Sequence, residues 1–162
     1  MLEAVALPLV KFALSEDVGT GDITSLNTIR SGVKARAAIV AKQPGIIAGV
    51  DIAGLTFREA DASLRFRKLV ADGTKVEPGA ACAQVVGDAG SILKAERTAL
   101  NFMQHLSGVA TLTRRFIDAI DGTGCTILDT RKTSPACAFS RSTPSSAEAG
   151  RTIASHCGTC TS

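Results

Sequence analysis

Two basic residues in succession, Arg131 and Lys132, end the stretch CTILDTRKT just after its apolar run. Read as a buried strand, that stretch exposes Asp129, Arg131 and Lys132 at its C-terminal end, where α/β proteins place their chemistry. Two fixed cations in a partly dry site can hold a carboxylate or a phosphate, and the arginine fork matches a carboxylate bidentately. Solvated surface charge is the plainer reading of the same pair. Glu96-Arg97, early in a long helical pattern, reads on spacing as a capping pair or a surface ion pair. His105, on the same pattern, reads as a polar-face or satisfied histidine.

The segment EDVGTGDITS, residues 16–25, carries three carboxylates and two glycines. Its GTG is a weak phosphate-loop signal: it follows a helix pattern, lacks a P-loop lysine and sits among repelling carboxylates. Glu16, Asp17 and Asp22 could ligate a divalent cation, but without EF-hand spacing a turn capped by Asp22, Thr24 and Ser25 fits better. Cys157-Gly-Thr-Cys160 beside His156 is a lone C-x-x-C pair, half a zinc site at most.

These groups need elements to position them. Leu2 to Leu14 has helical spacing, interrupted by Pro8, and ends at Ser15. ARAAIVAKQPGIIAGV, residues 35–50, reads as two β segments joined at Pro44-Gly45, and Asp51 to Ala60 returns to helical spacing. Strand-like alternation over residues 64–67 and turns at Asp72-Gly73 and Pro78-Gly79 point to a compact sandwich or half-barrel. Ile92 to Ala119 reads as two helices in series, split at Ser107-Gly108. Leu93, Leu100, Met103 and Leu106 would line the first, and Leu112, Phe116, Ile117 and Ile120 the second. Gly122-Thr-Gly124 stops the second helix before the strand CTILDTRKT.

Composition narrows the function classes. The chain has 162 residues, 45% hydrophobic and 20% charged, enough for one or two small domains. A formal charge of +3 without a long Lys/Arg run fits small anions rather than nucleic acid, and the absence of Tyr and Trp removes the stacking platforms of single-strand binders. MLEAVALPLV has no basic n-region, and no apolar run is long enough for a membrane span, so a cytoplasmic protein without membrane association is expected. Five cysteines, an odd count, argue against a disulfide framework there.

EDVGTGDITS, then ERTALNFMQHLSGVATLTRRF, then ILDTRKTSP, in that order, resemble the quinolinate phosphoribosyltransferase (nicotinate-nucleotide pyrophosphorylase, carboxylating) family from about Leu2 to Pro135. A molybdenum-transport-associated paralogous family shares the acidic opening and is the competitor. The resemblance implies an α/β (α+β) fold: an N-terminal α/β sandwich domain with the long helix over residues 1–108, and the first part of an incomplete α/β barrel over 109–135. It also implies a homodimer with active sites at the subunit interface. The implied reaction joins quinolinate to phosphoribosyl pyrophosphate with magnesium, Mg2+, giving nicotinate mononucleotide, pyrophosphate and carbon dioxide. By matching position, Arg97 would reach the partner subunit's site, while Thr130, Arg131 and Lys132 would bind the quinolinate carboxylates, with Lys132 also catalytic. The acidic opening is then a family marker that shapes a loop.

After Pro135 the pattern departs. Family members continue with Gly-Leu-Arg, a Glu-Lys-Tyr-Ala segment, a glycine triplet and Asn-His-Arg. Residues 136–162 are instead rich in Ser, Thr, Ala and Cys, and are expected to be poorly ordered. Back-translated with permitted codons and read one nucleotide earlier, the tail restores the family pattern, so a frameshift is expected at this junction. The chain would then be truncated, with its magnesium site in the missing part and negligible turnover alone. A non-catalytic binding or dimerising module is the alternative of a different class.

Overall fold

The computed structural model describes residues 2–18 and 32–128. Helix α1 (Leu2–Val18) is followed by strand β1 (Lys34–Val40), the short β2 (Gly45–Ile46) and helix α2 (Val50–Ala60). Strands β3 (Arg65–Lys68), β4 (Lys75–Val76) and β5 (Ala81–Asp88) lead into helix α3 (Ala89–Ala119). The sheet is antiparallel in the order β1-β5-β3, and β2 pairs with β4 as a separate ribbon. Helices layered on one sheet agree with the expected sandwich.

Alternation explains the sheet. In β1 the odd positions Ala35, Ala37 and Ile39 pack on the core while Lys34 and Arg36 face solvent. β5 is central and supplies Cys82, Ala83 and Val85 to the interior. Burial pushes the Cys82 thiol up, against a backbone hydrogen bond from Ala41, so it packs as a small neutral group. α2 is apolar on two sides because it lies between layers. Val50, Ala53 and Phe57 meet the sheet and α3, whereas Ile52 and Leu55 meet Ala6 and Val10 of α1. Gly54 lets α2 approach β3, since a Cβ there would lie 2.9 Å from Phe66 Cδ1.

α2 begins without a side-chain cap of its own. Asp72, distant in sequence, supplies one: its carboxylate accepts from Gly49 N at 2.9 Å and Val50 N at 3.0 Å, satisfying the orphan donors and placing negative charge at the positive helix end. Asp61 follows the other end of α2. It accepts from Ser91 Oγ at 2.6 Å in α3 and from Ser63 N at 2.8 Å, which ties the two helices together. The Ser91 hydroxyl first, then the Ser63 contacts, hold its pKa down at about 2 against an ordinary 3.8. A carboxylate depressed in the folded state contributes stability that is complete above the unfolded value and lost as pH falls through the folded one. Stability of the lobe is therefore expected to drop between about pH 4 and 2, and Ser91→Ala to flatten that drop in denaturant melts recorded across the range.

Four expectations change. Helix α1 continues through Glu16 and Asp17 instead of ending at Ser15, because Asp17 is anchored on α3. Pro8 is accommodated on the exposed side, where water can bond the Ala4 carbonyl that has lost its N–H partner. α3 is one helix, unbroken at Ser107-Gly108. The Ser107 hydroxyl is hydrogen-bonded to Ala48 N at 3.0 Å, and that of Thr111, one turn on, to Ile46 N at 2.8 Å. Two side chains thereby satisfy the segment leaving β2, and this docking outweighs the helix cost of one glycine, about 1 kcal/mol.

The buried stripe of α3 is also shifted. It consists of Ile92, Ala95, Thr98, Ala99, Met103 and Leu106, while Leu93, Leu112 and Phe116 are exposed. Finally, Gly122 and Gly124, both at positive φ, stand in the turn after α3 as expected, but Cys125–Leu128 is irregular and largely exposed rather than a buried strand. A strand needs a ladder partner for its backbone groups, and among the described residues none pairs with it.

Candidate functional site

The cation that can be placed is Arg97. It lies in the third turn of α3, two residues beyond the fully buried Ala95 and beside the buried Thr98. Helical geometry sets consecutive residues about 100° apart, so Thr98 faces inward and Arg97 stands at the margin of the buried stripe. Its side chain is 76% exposed.

Arg97 is not a loose surface charge. Its Nη1 donates to Asp17 Oδ1 at 3.1 Å, and Asp17 Oδ2 accepts from Thr98 Oγ1 at 3.3 Å. One carboxylate from the last turns of α1 thus engages two neighbouring residues of α3. Asp17 was named with Glu16 and Asp22 as a possible metal ligand. Its oxygens are instead committed to a guanidinium and a hydroxyl, and Asp22 lies outside the described residues. Among the described residues no group of three or more His, Cys, Asp or Glu side chains converges. Glu96 and His105 are exposed on α3.

Thr130, Arg131 and Lys132 lie outside the described residues, as do Asp22, Thr24 and Ser25 and the cysteines of the tail, Cys137, Cys157 and Cys160, with His156. Sequence reasoning read Glu96-Arg97 as a local pair and missed Asp17 as the partner of Arg97. The signal was the acidic pair Glu16-Asp17 at the end of a helix pattern, and nothing local could match it to a residue 80 positions away.

A concavity of about 740 Å³ opens between α1, α2 and β3 and is lined by Asp51, Gly54, Arg58, Phe66 and Lys68 among others. Two of its cations are paired, Lys68 Nζ with Asp51 Oδ1 at 2.7 Å and Arg58 with Glu3, while Arg65 also lines it.

Comparison with known proteins places this arrangement. Residues 22–107 match the family described as quinolinate phosphoribosyl transferase, N-terminal domain. A chloroplastic nicotinate-nucleotide pyrophosphorylase (carboxylating) of Oryza sativa subsp. japonica is 44% identical over 128 residues, covering 78% of this chain and 34% of that protein. The nicotinate-nucleotide pyrophosphorylase (carboxylating) of Mycobacterium leprae (strain TN) is 41% identical over 129 residues, covering 78% and 45%. Among solved structures, the nicotinate-nucleotide pyrophosphorylase of Francisella tularensis superposes with a TM-score of 0.83 at 32% identity, covering 91% of this chain and 51% of that one. The chain spans about a third to a half of the length of these relatives. Among the described residues no helix is long and apolar enough to cross a membrane.

Proposed function

Since the chain belongs to the quinolinate phosphoribosyltransferase family, we propose that it carries the amino-terminal, diacid-gripping part of an enzyme that transfers the phosphoribosyl group of phosphoribosyl pyrophosphate to quinolinate. The ring nitrogen displaces pyrophosphate at the ribose, and loss of one carboxylate as carbon dioxide, with a proton taken up at the ring carbon it leaves, gives nicotinate mononucleotide. Arg97 supplies one guanidinium fork to a quinolinate carboxylate, Arg131 supplies a second, and Lys132 and Thr130 add an ammonium and a hydroxyl. A planar dicarboxylate needs several cations at fixed angles, and arginine forks provide them. Alkylation makes the pyridine ring cationic, so it can accept the electrons released with carbon dioxide. Lys132 stabilises negative charge beside that ring.

The reading rests above all on Arg97: an exposed guanidinium with one nitrogen already tethered, on a helix within the family-matched residues. Residues 1–108 form the sandwich lobe in this reading, 109–135 begin the barrel, and the chain works as a cytoplasmic homodimer in which Arg97 reaches the partner's site. Magnesium belongs to a part of the enzyme other than the described residues.

Calorimetric titration of quinolinate into the purified chain tests this. Arg97→Ala should weaken binding by about tenfold or more, the cost of one charge-assisted pair, with less effect on the monoacid nicotinate. Unchanged quinolinate affinity would remove Arg97 from the site. A second reading, a dimerising module without catalysis, draws support from Val109, Leu112 and Phe116, which leave one side of the second half of α3 apolar and exposed. Light scattering separates the two: a dimer stabilised by quinolinate favours the enzyme part, and a dimer indifferent to it favours the module.

A further inference from the structure

Burial falls stepwise along one short chain of polar groups. Thr98 is 4% exposed, the Asp17 side chain 24% and the Arg97 side chain 76%. The hydroxyl at the inner end is fixed by core packing, because Thr98 lies on the buried stripe between Ala95 and Ala99. The carboxylate in the middle takes the hydroxyl on Oδ2 and the guanidinium on Oδ1. Among the described residues, Nη1 is the only side-chain nitrogen of Arg97 with a hydrogen-bond partner.

An isolated exposed ion pair contributes little, since holding two long side chains in one geometry costs entropy. This one differs in a specific respect. Asp17 has only a short side chain, is mostly covered and is anchored at its second oxygen, so most of the ordering cost of the acceptor is already met by the fold. The arginine is thereby restrained at one nitrogen, while among the described residues Nε and Nη2 have no acceptor. Binding a ligand to a side chain that is already ordered costs less than ordering it at the moment of binding.

We infer that Asp17 is a positioning residue for Arg97, with Thr98 as its buried anchor, so that the acidic opening of the EDVGTGDITS segment orients the arginine proposed to grip quinolinate. The inference rests on the reading of Arg97 given above, and two readouts keep them separable. The first needs no ligand: the order of the Arg97 Nε–Hε group, followed by NMR relaxation in the full 162-residue chain. The second is the affinity for quinolinate against that for nicotinate.

Asp17→Asn and, as a second variant that keeps side-chain volume, Thr98→Val should both raise the mobility of Arg97. Both should weaken quinolinate binding about three- to tenfold and narrow the preference for the diacid over the monoacid. Arg58→Ala serves as the control, because Arg58 pairs α1 with α2 through Glu3. If Asp17 were only a clamp on α1, removing that other clamp would weaken quinolinate binding comparably; the positioning role predicts no change. Unaltered Arg97 mobility in both variants overturns the inference, as does unaltered quinolinate affinity when Arg97→Ala weakens it. If Asp17→Asn frees Arg97 while Arg97→Ala leaves quinolinate affinity untouched, the ion pair stands but the substrate reading of Arg97 falls.

Discussion

Phe57→Ala is expected to lower the unfolding free energy of the lobe by about 3–5 kcal/mol. Phe57 is among the largest fully buried side chains and lies on the face of α2 that meets the sheet and α3. Its ring stacks on Phe66 of β3 at 5.7 Å between centroids, with 24° between planes. The site cannot collapse easily, because β3 is tied to β5 and α2 is tied at its ends by Asp72 and Asp61. Removing the ring therefore leaves a cavity and ends the aromatic contact. Domains of this size are stable by only about 5–15 kcal/mol, so the loss is a large share of the total. Urea melts measure it, with Phe57→Leu as the milder comparison; a difference between alanine and wild type under about 1 kcal/mol would mean that the site collapses around the missing ring.

The second large effect is expected at Gly49, where alanine should cost about 2–4 kcal/mol, part from backbone strain and part from overpacking. Gly49 has φ 86°, in the left-handed region, and it delivers the chain from β2 into α2. A Cβ there would lie 2.7 Å from Leu106 Cδ1, so the side chain of α3 would have to move as well. Gly79 separates the two contributions. It has φ 90° but nothing within 4 Å of an added Cβ, so Gly79→Ala carries the strain alone. The melting difference between the two variants isolates the clash with Leu106. Equal losses would show that Leu106 moves aside without penalty.

Both predictions bear on function through α3. That helix carries Leu106 and Ala99 into the core on one side and Arg97 at its margin, so a displacement of α2 against α3 shifts the base on which the arginine stands. The Asp17 contact adds α1 to the same support. Arg97 is thus held from two elements, and a lobe that loosens without unfolding would lose the Arg97–Asp17 contact before it lost its secondary structure.

Much of the local structure was legible in the residues. Helical spacing located α1, α2 and α3 because apolar side chains that recur each turn have one face to bury, and Asp72-Gly73 and Pro78-Gly79 marked turns because their backbone preferences suit no regular element. The ordered motifs ERTALNFMQHLSGVATLTRRF and EDVGTGDITS pointed to the family that the comparisons then established. What the residues could not announce was anything settled by groups far apart in the chain. Ser107-Gly108 looked like a break because local propensity opposes helix there, and only docking of Ser107 and Thr111 on residues 46–48 carries the helix through. Asp72 capping α2, and Asp17 joining Arg97 to Thr98, likewise exist only once distant segments meet. Periodicity and turn chemistry depend on neighbours within a few residues and can be read from order alone, whereas the orientation of a side chain at a site depends on which remote group the packed fold brings within hydrogen-bonding distance.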